Sequence, residues 1–228
     1  LVDKPLTPAN AQRLRLFDTY RGRGHRNNNL FLVYSVKTDQ DWVLPSDRHL
    51  VHWIYYLETD SNVRDFAFVS GSDSRNSGLC SVDVLLENGT RIEHQVGRKN
   101  AEQSSEALEP KTEPSIRNVA STKIRIFTDE DLQPHVKTSL RWLKPISFAS
   151  ALRDQEYARQ TLMLLDYFNQ QASGDIGRVL EEPQVCEHAS AIILGLIVRL
   201  AIKGHIRLDL SANSFGFGTR WTLPVKER

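Results

Sequence analysis

Two short runs rich in β-formers, Cys80 to Leu86 and Arg91 to Val96, flank Asn88-Gly89, and they carry Asp83, Glu93, His94 and Gln95. What these side chains could do together depends on the turn. A two-residue type I′ turn pairs Glu87 with Thr90 and sets Asp83 opposite His94. That would group an Asp with His94, and with His49 if the helix carrying it lies near, a donor set suited to a transition metal. A three-residue bulged turn pairs Leu86 with Thr90 and sets Asp83 opposite Glu93, two carboxylates on one face. A slip of one residue moves every side chain to the other face, so the two arrangements exclude each other. Taken singly, an Asp beside an Asn-Gly turn is most often a solvated strand residue, and a helical His most often a surface or hydrogen-bonded one.

Several elements have to position these residues. Leu30 to Lys37 alternates and reads as a strand. Pro45-Ser46 opens a helix that Ser46 can cap, with Leu50, Trp53, Ile54 and Leu57 on one face. Phe66 to Val69 reads as a short strand ahead of the Asn88-Gly89 hairpin. Arg98 to Ser121 is polar, holds Pro110 and Pro114, and reads as a linker or insertion. Lys123 to Phe127 is a further strand, and Thr128 with Asp131 forms an approximate capping box for a short helix.

From Ser147 the pattern turns helical. A helix over Ser147 to Gln171, a short one over Ile176 to Leu180 stopped by Pro183, and a third over Ala189 to Lys203 precede two β-like stretches, His205 to Leu210 and Thr219 to Leu223. Three helices followed by a β-hairpin is the order of a winged helix. The break near Pro145 suggests two domains, residues 1–146 and 147–228.

Composition narrows the function classes. The chain has 228 residues, 40% hydrophobic and 25% charged, an ordinary globular balance. Its formal net charge is +1, so nucleic acid cannot be held through bulk charge and would need a local basic patch. Cys80 and Cys186 are the two cysteines, too far apart in unlike contexts for a ligand motif or a disulfide framework. No apolar run reaches the roughly 18 residues of a membrane helix, since Arg199 interrupts the most apolar segment, Ala189 to Ile202. The start of the chain shows no secretory-signal pattern. The expected compartment is therefore the cytoplasm, with no membrane partner.

From Gly22 onward the order of elements resembles TnsA, the endonuclease subunit of heteromeric cut-and-paste transposons. The resemblance rests on a basic N-terminal stretch, then a helix opening Ser46-Asp47-Arg48-His49 and running into Glu58-Thr59-Asp60-Ser61-Asn62-Val63. It continues in Ser81-Val82-Asp83-Val84, Glu93-His94-Gln95, and a C-terminal stretch around Lys203 to Leu210. It implies an α/β chain: a mixed-sheet, restriction-endonuclease-like N-terminal domain followed by a C-terminal winged helix. It also implies a site of His49, Asp83, Glu93 and Gln95, but a degenerate one. His49 stands where the family has a metal-binding Glu, and Gln95 where it has a catalytic Lys.

Such a nuclease uses carboxylates to hold Mg²⁺, which activates water and stabilises charge on the phosphate. Imidazole is a poor ligand for that hard ion, and a neutral amide cannot replace a cation. The resemblance therefore implies a subunit of a transposition complex that cuts poorly, binds DNA and protein as a scaffold, and works with a DDE-type transposase and an ATPase regulator. No resident cofactor is expected, or Mg²⁺ if the site is active. The competing readings are an active divalent-metal-dependent endonuclease acting at transposon ends, and a winged-helix transcription regulator.

The expected DNA contacts are Arg21, Arg23 and Arg26 among glycines, with Lys37, and secondarily the wing residues Arg207 and Arg220. The third helix offers little to read bases with, because only Arg199 and Lys203 are charged. Apolar nearly all round, it should be buried. The loop from Asn213 to Gly218 is expected to expose Phe215 and Phe217 as a docking tip.

Overall fold

The fold is that of a computed structural model, which describes residues 29–68, 80–97 and 123–224. The chain is mixed α/β, with a mixed sheet and a helical C-terminal part. It begins with an antiparallel hairpin of β1 (Phe31–Ser35) and β2 (Gln40–Leu44). The first strand is the one expected. β2 escaped the sequence reading because its turn is unusual: Asp39 adopts a positive φ of 51°, uncommon for a residue other than glycine.

The next helix, α1 (Asp47–His52), continues as a π-helical segment, Trp53–Glu58. Ser46 starts it in extended geometry, but its hydroxyl meets His49 Nδ1 at 2.7 Å instead of capping a backbone N–H. Leu50, Trp53, Ile54 and Leu57 are all buried, as their spacing requires. The wider π turn, closed by the Thr59 N–H on the Ile54 carbonyl at 3.0 Å, also turns Glu58 fully inward.

The central sheet runs in the order β3 (Val63–Phe68), β4 (Cys80–Leu86), β5 (Arg91–Val96), β6 (Lys123–Phe127). The first three strands are antiparallel and β6 is parallel to β5. A parallel pair needs a crossover connection, and here the chain makes it through residues 98–122, outside the described residues. The expected linker lies in that stretch. At the β4–β5 turn, Leu86 N–H donates to the Thr90 carbonyl at 2.9 Å, and Gly89 sits at φ +81°. This is the bulged turn, with Gly in the left-handed position, and it sets Asp83 opposite Glu93.

After β6 the short α2 (Asp129–Leu132) carries the capping box of Thr128 and Asp131. The following α3 (Val136–Ala151) runs straight through Pro145, so the division expected at 146/147 falls inside a continuous helix. Proline is disfavoured in helix interiors, which is why the break looked like a boundary. The single helix expected over Ser147 to Gln171 is instead the end of α3 and a separate α4 (Ala158–Gln170). Then come β7 (Ser173–Asp175), α5 (Ile176–Glu181), α6 (Pro183–Cys186), α7 (Ser190–Ile202), β8 (Arg207–Asp209) and β9 (Arg220–Thr222). The three strands form an antiparallel sheet in the order β7-β9-β8, and β7 is an element the sequence reading missed.

One buried cluster extends from Tyr34, Trp53 and Val82 to Ile146, Leu196 and Trp221, so both parts of the chain share a core. Helices α3 and α7 cross closely at Gly195. A Cβ there would lie 2.7 Å from the Phe148 carbonyl oxygen and 2.6 Å from Leu152 Cδ1, contacts a side chain cannot make. Helix α7 is buried along most of its length. The loop after β8 exposes only one of its phenylalanines: Phe217 is 66% exposed, whereas Phe215 is buried beside Phe148. Among the described residues no helix is long and apolar enough to cross a membrane.

Candidate functional site

Strand alternation divides the sheet residues into two sets. Val82, Val84, His94 and Val96 face inward and are buried. Asp83, Glu93 and Gln95 occupy the opposite face with Ser81. Asp83 and Glu93 are direct cross-strand partners, a relation that brings Cβ atoms to about 5 Å. Glu93 Oε1 accepts from Gln95 Nε2 and from Ser81 Oγ, each at 2.9 Å. Those two hydrogen bonds, Gln95 first, hold the Glu93 carboxyl below its usual range.

His49 does not join them. It lies on α1, and α1 packs against the inward face, where His52 meets His94 of β5. Burial, and secondarily Arg48, lower the His49 pKa to about 4, and its Nε2 is enclosed without a partner. The expected quartet is thus split by the sheet: three members converge and His49 is on the other side. The same alternation overturns the Asp83–His94–His49 arrangement, since Asp83 and His94 point away from each other.

Asp83 and Glu93 offer oxygen donors of the kind a divalent cation takes, and one Glu93 oxygen accepts the two hydrogen bonds described above. Among the described residues no three His, Cys, Asp or Glu side chains could hold a metal together. Gln95 brings a neutral amide donor and no positive charge. This face can accept and donate hydrogen bonds, and it carries Ile124 and Ile126 of β6 at 58% exposure beside the polar residues.

The inward face holds a cluster the sequence reading did not assemble. His52 Nε2 lies 3.2 Å from His94 Nδ1, and both rings pack on Phe127 at 4.6 and 4.8 Å. Arg125, opposite His94 on β6, stacks over Phe127 at 4.6 Å and Tyr56 at 5.3 Å. Burial, then Arg125, lowers the His94 pKa to about 4, and burial lowers that of His52 well below the ordinary value. Both rings are neutral at neutral pH. A pocket of about 360 Å³ beside Tyr56, His94 and Arg125 opens at this edge. The available signal was His49 and His52 one turn apart on α1, with His94 inward in the bulged register.

The proposed DNA contacts separate as well. Arg21, Arg23 and Arg26 lie outside the described residues. Lys37 cannot serve: its ammonium donates to the carbonyls of Leu57 at 2.9 Å, Val63 at 2.7 Å and Asp60, which occupies all three protons. Its burial lowers its pKa, while burial raises that of Glu58, whose carboxylate accepts from Ser35 Oγ at 2.6 Å and Val36 N–H at 2.7 Å. Lys37 and Glu58 are therefore fastenings between β1 and the end of the π-helical segment.

Arg207 and Arg220 are exposed on the outer face of the C-terminal sheet. Arg220 lies between Asp175 and Asp209 on the neighbouring strands, which offsets its charge locally, whereas Arg207 faces Thr222. No family model matches this chain, and no curated protein or solved structure matches it either.

Proposed function

We propose that the chain is a TnsA-like subunit of a DNA transposition complex, catalytically impaired and acting as a scaffold that binds DNA and partner proteins. The observation that carries this reading is the central sheet. A helix leads into three antiparallel strands and a fourth strand parallel to the third, with an acidic pair, Asp83 and Glu93, across the middle strands and Gln95 two residues on. That arrangement supports a restriction-endonuclease-like core. The neutral amide of Gln95 and the separation of His49 support loss of cutting. In the C-terminal part, the order helix, strand, helices, strand, strand with β9 between β7 and β8 supports a winged helix.

In this reading the acidic pair is a relic of metal chemistry, and the chain's contribution is position. The buried helix α7 cannot enter a groove, so DNA contact falls to the N-terminal arginines and Arg207, and protein contact to exposed apolar positions such as Phe217. A DDE-type transposase and an ATPase regulator would supply strand transfer and control, in the cytoplasm.

The test has two parts. Purified protein is assayed for plasmid nicking with Mg²⁺, Mn²⁺ and Zn²⁺, and for co-assembly with a DDE transposase and an ATPase encoded beside it. The expected result is assembly and DNA retention without nicking. Robust cleavage abolished by Asp83→Ala would replace the impaired subunit by an active endonuclease. Failure both to bind DNA and to assemble would end the transposition reading.

A further inference from the structure

Between the β1–β2 hairpin, the turn from α3 to α4 and one side of α7 lies a cavity of about 490 Å³. This is the size of pocket that encloses a small ligand or one charged group of a larger one. Its lining holds four cations and three acids, and the cations have different fates. Lys37 spends its protons on three carbonyls. Arg153 pairs with Asp41 at 3.2 Å and lies over the Tyr34 ring at 6.0 Å. Arg199 in the last turn of α7 and Lys203 at its C-cap make no ion pair among the described residues.

Arg199 is the better placed of the two. One terminal nitrogen reaches the Gln155 carbonyl only at 3.5 Å, the outer limit of a hydrogen bond. Its Nε is enclosed and has no acceptor. With Nε out of a ligand's reach, Arg199 meets the cavity through its terminal nitrogens, whose N–H groups can give two parallel donors to a tetrahedral or planar oxyanion. The three acids of the lining, Asp39, Asp154 and Glu156, lie at its exposed rim. Asp39 accepts from the Tyr34 hydroxyl, Asp154 lies toward Arg153 at 3.9 Å, and Glu156 is exposed.

We infer that this cavity is a phosphate-binding site, with Arg199 as the bidentate anchor and Lys203 as a second positive charge. The phosphate is either a free anion or the terminal phosphate of a DNA strand. The inference stands on the cavity and its two α7 cations, independently of the transposition reading.

The test is calorimetric titration of the full chain with inorganic phosphate at low, constant ionic strength. Saturable one-site binding is expected, weakened about tenfold or more in Arg199→Gln and by a smaller factor in Lys203→Gln. Lys203 is exposed, so its variant keeps the comparison available if Arg199→Gln does not fold. A second arm compares an oligonucleotide with and without a 5′-phosphate. Tighter binding of the phosphorylated strand, abolished in either variant, assigns the phosphate to a DNA end. Equal binding of the two strands, with variant-sensitive phosphate binding, assigns it to a free anion. Absence of saturable phosphate binding, or binding unchanged in Lys203→Gln and in a folded Arg199→Gln, overturns the inference.

Discussion

His52 Nε2 and His94 Nδ1 face each other at 3.2 Å across the contact between α1 and β5, sealed by Phe127 and overlain at the strand edge by Arg125. A neutral pair of imidazoles shares one hydrogen bond at that distance. A further proton on either ring is opposed by burial and by the neighbouring guanidinium. The joint between helix and sheet is therefore sensitive to acid.

The first prediction follows from that joint. His49 and His94 titrate near pH 4 in the folded chain, and His52 is also held well below the ordinary value of 6.5. Depressed folded-state values mean that their contribution is present above about pH 6.5 and is lost as pH falls, on the order of 1–2 kcal/mol each for His49 and His94 by pH 5, with His52 acting in the same direction. The raised carboxyl of Glu58 acts in the opposite direction over part of that range, so the comparison must be with a variant. His52→Phe keeps a ring against Phe127 and removes one titrating site. Its unfolding free energy, measured in urea, should fall less than that of the unmodified protein between pH 7 and 5; an identical fall would contradict a neutral, buried His52.

The acidic pair yields a second. Because His49 lies across the sheet from Asp83 and Glu93, the double change His49→Glu with Gln95→Lys should not restore nicking in Mg²⁺ or Mn²⁺. The lysine would reach the acids, but the new glutamate would not. Recovered cleavage that disappears on adding Asp83→Ala would show that the two faces communicate and that the placement of His49 is wrong.

Packing between α3 and α7 gives a third. Leu196 is 2% exposed, and Leu196→Ala should cost about 2–5 kcal/mol. Gly195→Ala should cost about 1–3 kcal/mol by pushing a methyl into the Phe148 carbonyl and Leu152. Chemical denaturation reads both, and a cost within error for Gly195→Ala would mean that the helices cross further apart.

Lys37 supplies the fourth. Lys37→Met keeps the aliphatic stem and strips the donors from three carbonyls, so stability should drop by about 2–4 kcal/mol while DNA affinity per folded molecule is unchanged. Intact stability with weakened DNA binding would return Lys37 to the phosphate contacts.

The fifth concerns the N-terminal arginines. Neutralising Arg21, Arg23 and Arg26 together should reduce DNA affinity and flatten its dependence on salt, by about one unit for each phosphate that is no longer neutralised. Arg207→Gln should add to that effect and Arg220→Gln much less, because Asp175 and Asp209 already offset Arg220. An unchanged slope in the triple variant would remove the arginines from the interface.

Local signals in the sequence determined a good deal of this protein. The apolar spacing of Leu50, Trp53, Ile54 and Leu57 marked the buried face of α1, and the alternating runs around Asn88-Gly89 marked the β4–β5 hairpin. The almost uncharged α7 announced its own burial. These features repeat within one turn or one strand, so neighbouring residues suffice to reveal them. The bulged register was legible only as one of two alternatives, because Asn-Gly serves both turns and the choice depends on which strand face the core will cover. Tertiary structure alone decided that α1 lies on the His94 face, which separates His49 from Asp83, Glu93 and Gln95. It also carried α3 through Pro145, where burial of Ile146 and Ala149 against the shared core offsets a residue that disfavours helix. It turned Lys37 from a free cation into a clasp on the carbonyls of Leu57, Asp60 and Val63. Each of these outcomes rests on groups brought together from distant parts of the chain, where packing outweighs local preference.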